Sequence, residues 1–127
     1  MNSDFPCQKE TETILGCAFS VHNEIGHGFH EKPYENALVV EFQGREVPCR
    51  QQKRFPLLYK GTKVGEDIPD LIAFDKVIVD TKTIPKISDH ELGQMLNYLR
   101  LTGLPVGLLL NFKHPRLEYR RVILGGS

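Results

Sequence analysis

Residues 68–83, with the sequence IPDLIAFDKVIVDTKT, place the strongest constraint on the fold of this chain. They predict two short β-strands joined by a tight turn at residues 75–76. Residues 77–79, Val-Ile-Val, have high β-propensity and indicate a strand buried on both faces of a sheet. That strand runs directly into Asp80 and Lys82, and unpaired buried charge is unfavourable. Because these two residues are two positions apart, they share one face of the strand.

Whether Asp70 joins that pair depends on the register of the hairpin. Asp70 and Asp80 share a face only if the numbers of paired residues sum to an even value, as when 70 pairs with 80. A strict two-residue turn at 75–76 would pair 74 with 77 and place Asp70 on the opposite face, because a slip of one residue reverses every side chain. We therefore predict a connecting loop with an odd number of residues, or a β-bulge.

The charge pattern of this hairpin suggests a metal site. Two carboxylates about 4 Å apart repel by roughly 4 kcal/mol at an effective dielectric near 20. A divalent cation between Asp70 and Asp80 would remove that repulsion, whereas Lys82 alone offsets part of it. The pattern is that of a hard-metal site with a lysine beside the metal-bound water. The alternative is an Asp–Lys salt bridge at a strand edge, with Asp70 in a turn.

Composition limits the class of protein. A chain of 127 residues predicts a single domain over residues 1–127. The net charge is zero, so binding to nucleic acid would need a local basic patch. The sequence lacks the apolar run of about 18 residues that a membrane span needs, and its polar N-terminus is unlike a signal peptide. Three cysteines without Cys-x-x-Cys spacing are typical of reduced thiols, so we expect a cytoplasmic protein.

The rest of the chain predicts helices on the faces of a mixed sheet. Helical spacing of apolar residues covers Gln8–Ile25, a second helix has Pro33 in its first turn and ends at Gly44, and a third runs from a capping box at 88–91 to Gly103. The predicted strands outside the hairpin are 47–54, 55–59, 63–66, 105–112 and an edge strand at 118–124. An antiparallel meander, a crossover helix and a further strand indicate the α/β class.

Basic residues supply two candidate patches for nucleic acid. The group near the C-terminus is Lys113, Arg116, Arg120 and Arg121, and a second group is Arg50, Lys53 and Arg54. Phosphate contacts provide most non-specific affinity for nucleic acid, so a patch that binds nucleic acid should border the metal site. The alternative is that these residues are solvated strand faces or protect sheet edges.

Three motifs resemble those of a known superfamily. Pro69-Asp70, followed ten residues after Asp70 by Asp80-Thr81-Lys82, resembles the PD-(D/E)XK signature of the restriction-endonuclease-like nucleases. Residues 28–34, GFHEKPY, match the GxxExxY pattern that names a small family within that superfamily. Residues 94–98, QMLNY, match the QxxxY motif of its recombination-exonuclease branch. The resemblance extends from about residue 11 to 123, and its one departure is Asp80, where a longer Glu is more usual.

The resemblance implies a restriction-endonuclease-like mixed sheet flanked by helices and a metal-dependent nuclease acting on DNA or RNA. Asp70, Asp80 and the carbonyl of Thr81 would hold Mg²⁺ or Mn²⁺. Lys82 would orient the attacking water and stabilise charge on the phosphate. Gln94 would hydrogen-bond near the metal or the strand end.

The resemblance also implies an acidic residue from the N-terminal helical part. Glu31 is the first candidate as a catalytic residue and metal ligand, with Glu35 as the fallback. Glu31 has an alternative role, since negative charge stabilises a helix N-terminus by about 0.3–1 kcal/mol. Tyr34 fits the core better than catalysis, and Gln94 has the alternative of an ordinary exposed helix residue. Tyr98 would support Gln94 or, with the C-terminal basic group, contact nucleic acid.

Two hypotheses follow from the sequence. The first is a metal-dependent phosphodiesterase that acts on DNA or RNA, which the intact set of Asp70, Asp80, Lys82 and Gln94 favours. The second is a non-catalytic module that keeps the nuclease fold and binds nucleic acid or protein. Neutral charge and small size favour the second, or an enzyme that works as a homodimer or with a partner protein.

Overall fold

The computed structural model describes residues 6–125, which form three helices and seven strands. In chain order they are α1 (Gln8–Ile25), α2 (Glu31–Gly44), β1 (Cys49–Gln51), β2 (Phe55–Tyr59), β3 (Thr62–Asp67), β4 (Leu71–Ala73), β5 (Val77–Lys82), α3 (Asp89–Thr102), β6 (Val106–Asn111) and β7 (Glu118–Ile123). The main sheet has the order β1-β4-β5-β6-β7, and β2 and β3 form a separate hairpin. None of the helices within 6–125 combines the length and apolarity that crossing a membrane requires.

Strand β5 is the centre of the sheet, and every residue of it except Lys82 is buried. It is antiparallel to β4 and parallel to β6, with α3 as the connection between the parallel pair. Val77 and Val79 pack in the core shared with α1 and α2, whereas Ile78 packs in the core shared with α3. The predicted strand buried on both faces, and with it the mixed α/β sheet flanked by helices, is confirmed.

The hairpin has the predicted register. Leu71 pairs with Val79 and Ala73 with Val77, so partner numbers sum to an even value. The connecting loop is residues 74–76, and the N–H of Lys76 donates to the carbonyl of Ala73 at 3.0 Å. Phe74 and Asp75 both adopt positive φ, which lets an odd-numbered loop close. The prediction of such a loop is confirmed.

The predicted antiparallel meander is wrong at its start. The first strand covers Cys49–Gln51 and pairs with β4, not with β2. Gln52 adopts a left-handed φ of 57°, which turns the chain out of the sheet, and its N–H donates to the carbonyl of Asp70 at 2.9 Å. The β2–β3 hairpin therefore stands apart from the main sheet, and β1 forms one sheet edge, as β7 forms the other.

The loop before α2 is tied to the core by Tyr34. Its hydroxyl donates to the carbonyl of Gly26 at 2.8 Å and accepts the N–H of Phe29 at 3.3 Å. The Tyr34 ring is fully buried and stacks on Phe112, with ring centroids 4.4 Å apart. Gly28 between them has a φ of 93°, a conformation that favours glycine. The interpretation of Tyr34 as a core residue is confirmed.

Helix α3 packs very closely on β6 because position 107 has no side chain. A Cβ on Gly107 would overlap Sδ and Cγ of the fully buried Met95. The helix begins with the predicted capping box, in which the Ser88 N–H donates to the Glu91 carboxylate at 2.8 Å. Gly103 ends it with a φ of 73°. This close contact fixes the position of the helix that carries Gln94 and Tyr98.

Candidate active site

The structure brings Asp70 and Asp80 to one end of the β4–β5 pair. Asp70 precedes β4, and its Oδ2 accepts hydrogen bonds from the Thr81 N–H at 2.9 Å and the Thr81 hydroxyl at 3.0 Å. The Thr81 amide lies beyond the last pair of the β4–β5 ladder, which joins Leu71 and Val79. Asp80 is 3% exposed. The ladder ends at Leu71 and Val79, with Asp70 and Asp80 as the next residues of the chain beyond that pair, and the charge of Asp80 acts on Asp70. Both carboxylates therefore lie at this strand end.

The electrostatic environment of Asp70 disfavours its negative charge. Burial, followed by the negative charges of Asp80 and Glu35, raises the pKa of Asp70 from 3.8 to about 7. The hydrogen bonds from Thr81 act in the opposite direction but do not cancel these effects. The predicted mutual repulsion of two site carboxylates is therefore present at Asp70. A bound cation would relieve it.

Lys82 connects the carboxylates to α3. Its ammonium group lies 3.1 Å from Asp80 Oδ2 and donates a hydrogen bond to Gln94 Oε1 at 2.9 Å. Its side chain is 15% exposed. A lysine ammonium has three donors, so Lys82 keeps capacity for a water or a phosphate oxygen. Gln94 is thus a polar contact of the lysine and not an ordinary surface residue.

Tyr98 extends this polar chain by one helical turn. Gln94 Nε2 donates to the Tyr98 hydroxyl at 3.3 Å. Burial raises the pKa of Tyr98, and the charges of Asp80, Asp67 and Asp70 raise it further. The hydroxyl therefore stays protonated and can act as a donor.

Glu35, and not Glu31, is the helical acid that lies near this group. The Glu35 side chain is 3% exposed, and its charge acts on Asp70. Its carboxylate accepts hydrogen bonds from Lys32 Nζ at 3.0 Å, Gln51 Nε2 at 2.8 Å and Gln52 Nε2 at 2.9 Å. Glu31 is exposed in the first turn of α2 and has no hydrogen bond or ion pair to another residue of 6–125.

Three further residues at this site, Gln51, Gln52 and Asp67, belong to no sequence motif. Gln51 and Gln52 hold Glu35 from the end of β1, and Asp67 ends β3 near Tyr98. Sequence reasoning missed them because amides and single carboxylates at strand ends have no distinctive spacing. The position of Glu35 was the available signal. Glu35 lies one turn before Leu38 on the buried face of α2, where a carboxylate needs hydrogen-bond donors such as these amides.

The two arginines of β7 predicted to bind nucleic acid, Arg120 and Arg121, lie on opposite faces of the sheet. Arg120 pairs with Leu109 of β6, which pairs with Asp80 of β5. Residues opposite each other across strands share a face, so Arg120 lies on the face of Asp80. Arg121 is opposite Leu108 and lies on the other face. Only the first of the two is placed on the side of the carboxylates.

The loop after β6 carries two more predicted basic residues, Lys113 and Arg116, both exposed. Because β5 and β6 run parallel, this loop leaves the sheet at the edge where Lys82 ends β5. The Phe112 N–H donates to the Lys82 carbonyl at 2.9 Å, and His27 Nδ1 lies 3.2 Å from the Lys113 carbonyl. The loop is therefore anchored next to the site.

A cleft of about 600 Å³ opens on the other side of Gln94 and Tyr98. It lies between the end of β3 and one face of α3, and we call it the α3 cleft. Its walls include Asp67, His90, Gly93, Gln94, Asn97 and Tyr98. The cleft therefore shares two residues with the polar chain that begins at Lys82.

Within residues 6–125, no three or more His, Cys, Asp or Glu side chains are arranged as a ready metal-binding cluster. The site has instead a close carboxylate pair, a neighbouring lysine and a third carboxylate held by amides. Such a set depends on backbone oxygens, water or substrate to complete any coordination shell.

The raised pKa of Asp70 predicts that the metal-free protein loses stability as pH rises. Between the ordinary value of 3.8 and about 7, the folded state holds a proton on Asp70 that the unfolded state has released. The stabilisation of the folded state by this proton is fully present below the ordinary pKa of 3.8 and is lost as pH rises to about 7 and beyond. Urea unfolding in chelator should show that wild type, relative to Asp70→Asn, is more stable at about pH 5 than at about pH 8. A difference between the two proteins that does not change with pH would contradict this assignment.

Comparison with known proteins places this geometry in a family. The pattern of the PD-(D/E)XK nuclease superfamily matches residues 8–122. The crystal structure of SSO0001 is similar in fold, with a TM-score of 0.61 and 16% identity over 76% of this chain and 50% of that chain. This chain therefore spans half the length of that protein. None of the curated proteins matches the chain. Since the superfamily match covers the core sheet, all three helices and every residue of the site, the chain belongs to the PD-(D/E)XK nuclease superfamily.

Proposed function

We propose that this protein is a metal-dependent nuclease that hydrolyses phosphodiester bonds in DNA or RNA. In this reaction water adds to phosphorus and one ester P–O bond breaks, leaving a phosphate monoester and a free hydroxyl. The observation that carries the proposal is the arrangement of Asp70 and Asp80 at one strand end, with Lys82 between Asp80 and Gln94. The superfamily match supports it.

The donor set fits a hard divalent cation. Asp70 Oδ1 and Asp80 Oδ1 accept no hydrogen bond from residues 6–125, so each has lone pairs to offer. Mg²⁺ binds through one or two carboxylates and keeps several waters or substrate oxygens, which suits a site without a full protein cage. Asp70, Asp80 and the carbonyl of Thr81 would hold the ion, with Glu35 beside them. When bound, Mg²⁺ or Mn²⁺ supplies Lewis acidity that neutralises charge on the phosphate and acidifies water.

Lys82 acts on the reacting groups. Its ammonium is held by Asp80 and Gln94, so its direction is fixed before substrate binds. A remaining donor can orient the attacking water or bind a phosphate oxygen as negative charge develops there. Preorganised donors of this kind stabilise a transition state more than a ground state.

Affinity for the polynucleotide comes from local basic residues, because the net charge is zero. Arg120 lies on the face of the carboxylates, and Lys113 and Arg116 lie on the loop at the same edge of the sheet. Each phosphate that they contact releases counterions and makes binding dependent on salt. We infer that Arg120 contributes more than Arg121, which lies on the other face.

We also propose that the chain belongs to the GxxExxY family, and the structural roles of its motif residues support this proposal. Gly28 supplies the positive φ of the loop, Glu31 begins α2, and Tyr34 ties the loop to the core. The motif therefore shapes the entry into α2, and that helix delivers Glu35 to the site. The second hypothesis, a non-catalytic module that keeps the nuclease fold, is favoured by the neutral net charge and the small size of the chain.

The function is tested by incubating the purified protein with labelled single- and double-stranded DNA and RNA in Mg²⁺ or Mn²⁺. We expect cleavage of at least one polymer that stops when a chelator is added. Absence of cleavage on all of them, with metal present, would favour the non-catalytic module.

The two glutamates of α2 should differ in their effect on cleavage. Glu35→Gln should lower the cleavage rate or the Mn²⁺ affinity by about 10- to 100-fold, as expected for a residue that supports a metal site. The matched control is Glu31→Gln, which removes the same charge one turn away and should remain near wild type. Rates measured across a Mn²⁺ titration separate affinity from turnover. A larger loss in Glu31→Gln than in Glu35→Gln would reverse the assignment.

A further inference from the structure

The α3 cleft has a size and position that suit a part of the substrate. Its volume of about 600 Å³ lies within the range of sites that enclose small molecules. Gln94 and Tyr98 form one wall, and Gln94 is hydrogen-bonded to Lys82. A molecule in the cleft would therefore lie beside a phosphate held at Lys82.

A glycine inside α3 lines this cleft without a structural reason for being glycine. Gly93 does not adopt positive φ, and a Cβ built on it would meet no atom within 4 Å. Glycine inside a helix is less stable than alanine, so neither local conformation nor packing accounts for it. Glycine does allow another molecule to approach the backbone closely. Its position in the wall of the cleft indicates that the approaching molecule is a ligand.

The polar groups of the cleft suit a base better than a phosphate. Asp67 and Asp89 line it and repel phosphate, but carboxylates accept N–H groups from base edges. Asn97 is exposed, and its Oδ1 accepts a hydrogen bond from Arg100 at 3.0 Å. This contact fixes the orientation of the amide and leaves its N–H groups as donors. Tyr98 adds a hydroxyl donor. Arg100 also lines the cleft, where it donates to Asn97 Oδ1 and faces a lining that includes both carboxylates. Donors and acceptors of both kinds in the cleft, with Lys82 outside it, match a nucleoside whose phosphate lies at the edge.

We propose that the α3 cleft binds one unpaired nucleoside of the strand that is cleaved, next to the scissile phosphate. This proposal rests on the proposed nuclease function and adds a substrate class to it. A paired base is stacked inside the duplex and must leave the stack to enter such a cleft, which disfavours duplex. The substrate strand is therefore single-stranded at the site, either throughout or at a frayed end.

The test uses Gly93→Leu to fill the cleft, with Gly44→Ala as the matched control. Gly44 ends α2, its Cβ position is also open, and it lies outside the cleft. Leucine and alanine are good helix formers, so both variants should keep or raise the melting temperature. Binding of short fluorescein-labelled oligonucleotides is followed by anisotropy with Ca²⁺ on a Lys82→Ala background, so that the probes stay intact. Gly93→Leu should weaken binding of single-stranded DNA or RNA by at least about tenfold, whereas Gly44→Ala should not.

The background protein should also bind a single strand more tightly than the blunt duplex of the same sequence. Equal binding of the single strand by Gly93→Leu and its background would overturn the proposal, as would a preference for duplex or no binding of any probe. Cleavage by wild type is measured separately. If wild type cleaves nothing but Gly93→Leu still weakens binding, the nuclease function fails and the nucleoside site stands. If Gly93→Leu cleaves and binds single strands like wild type, the nuclease function stands and the nucleoside site fails.

Discussion

Lys82→Ala is expected to lower the cleavage rate by about 100- to 1,000-fold, the usual effect of removing one preorganised donor from a transition state. Metal and nucleic-acid binding should stay largely intact, because the carboxylates hold the metal and other cations hold the strand. In kinetic terms kcat should fall while KM changes little, since the interaction is made mainly in the transition state. Single-turnover cleavage with Mn²⁺, together with anisotropy of a labelled strand, measures both quantities.

The matched control for this variant is Lys86→Ala, four residues further along the chain and exposed. It removes the same charge and should leave both rate and affinity near wild type. Because Lys82 is the ion-pair partner of the buried Asp80, the folding of Lys82→Ala is checked by its melting temperature. A folded Lys82→Ala protein that cleaves at the wild-type rate would exclude a catalytic role for this lysine.

Asp80→Asn is expected to lose cleavage and metal binding together. Mutating a residue that only supports a metal ligand lowers metal affinity or activity by about 10- to 100-fold. Removing a ligand itself should therefore lower them by more than about a hundredfold. The amide has nearly the same size as the carboxylate, so packing at this 3% exposed position should be preserved. Cleavage rates and the thermal shift on adding Mg²⁺ report the two effects.

Asp75→Asn serves as the control for Asp80→Asn. Asp75 lies in the loop of the same hairpin, is exposed, and pairs with Arg50 at 3.0 Å. An exposed pair of this kind contributes little, so the variant should bind metal and cleave like wild type. A Mg²⁺-dependent thermal shift in Asp80→Asn as large as that in Asp75→Asn would show that the metal binds elsewhere.

The part of the fold that depends on local pattern was predictable. The buried strand at Val77–Val79, the capping box at Ser88 and the stop at Gly103 each follow from short-range chemistry, and all three are confirmed. The register of the hairpin was predicted on a different ground: Asp70 and Asp80 share a face only if partner numbers sum to an even value, and the observed pairs do so.

The parts that depend on distant contacts were not predictable. Residues 47–54 have strand-forming composition, but the left-handed Gln52 ends β1 early, and no local signal marks that residue. The choice between Glu31 and Glu35 depended on how deeply α2 is buried and on amides from β1, which are far apart in sequence. The faces of Arg120 and Arg121 likewise needed the register with β6.

The central claim is that Asp70 and Asp80 form one metal site. It is tested most directly by isothermal titration of Mn²⁺ into wild type and into the double variant Asp70→Asn/Asp80→Asn, at a pH above the raised pKa of Asp70. We expect saturable binding to wild type and none to the double variant over the same Mn²⁺ range. Binding of equal affinity and stoichiometry to both proteins would contradict the claim.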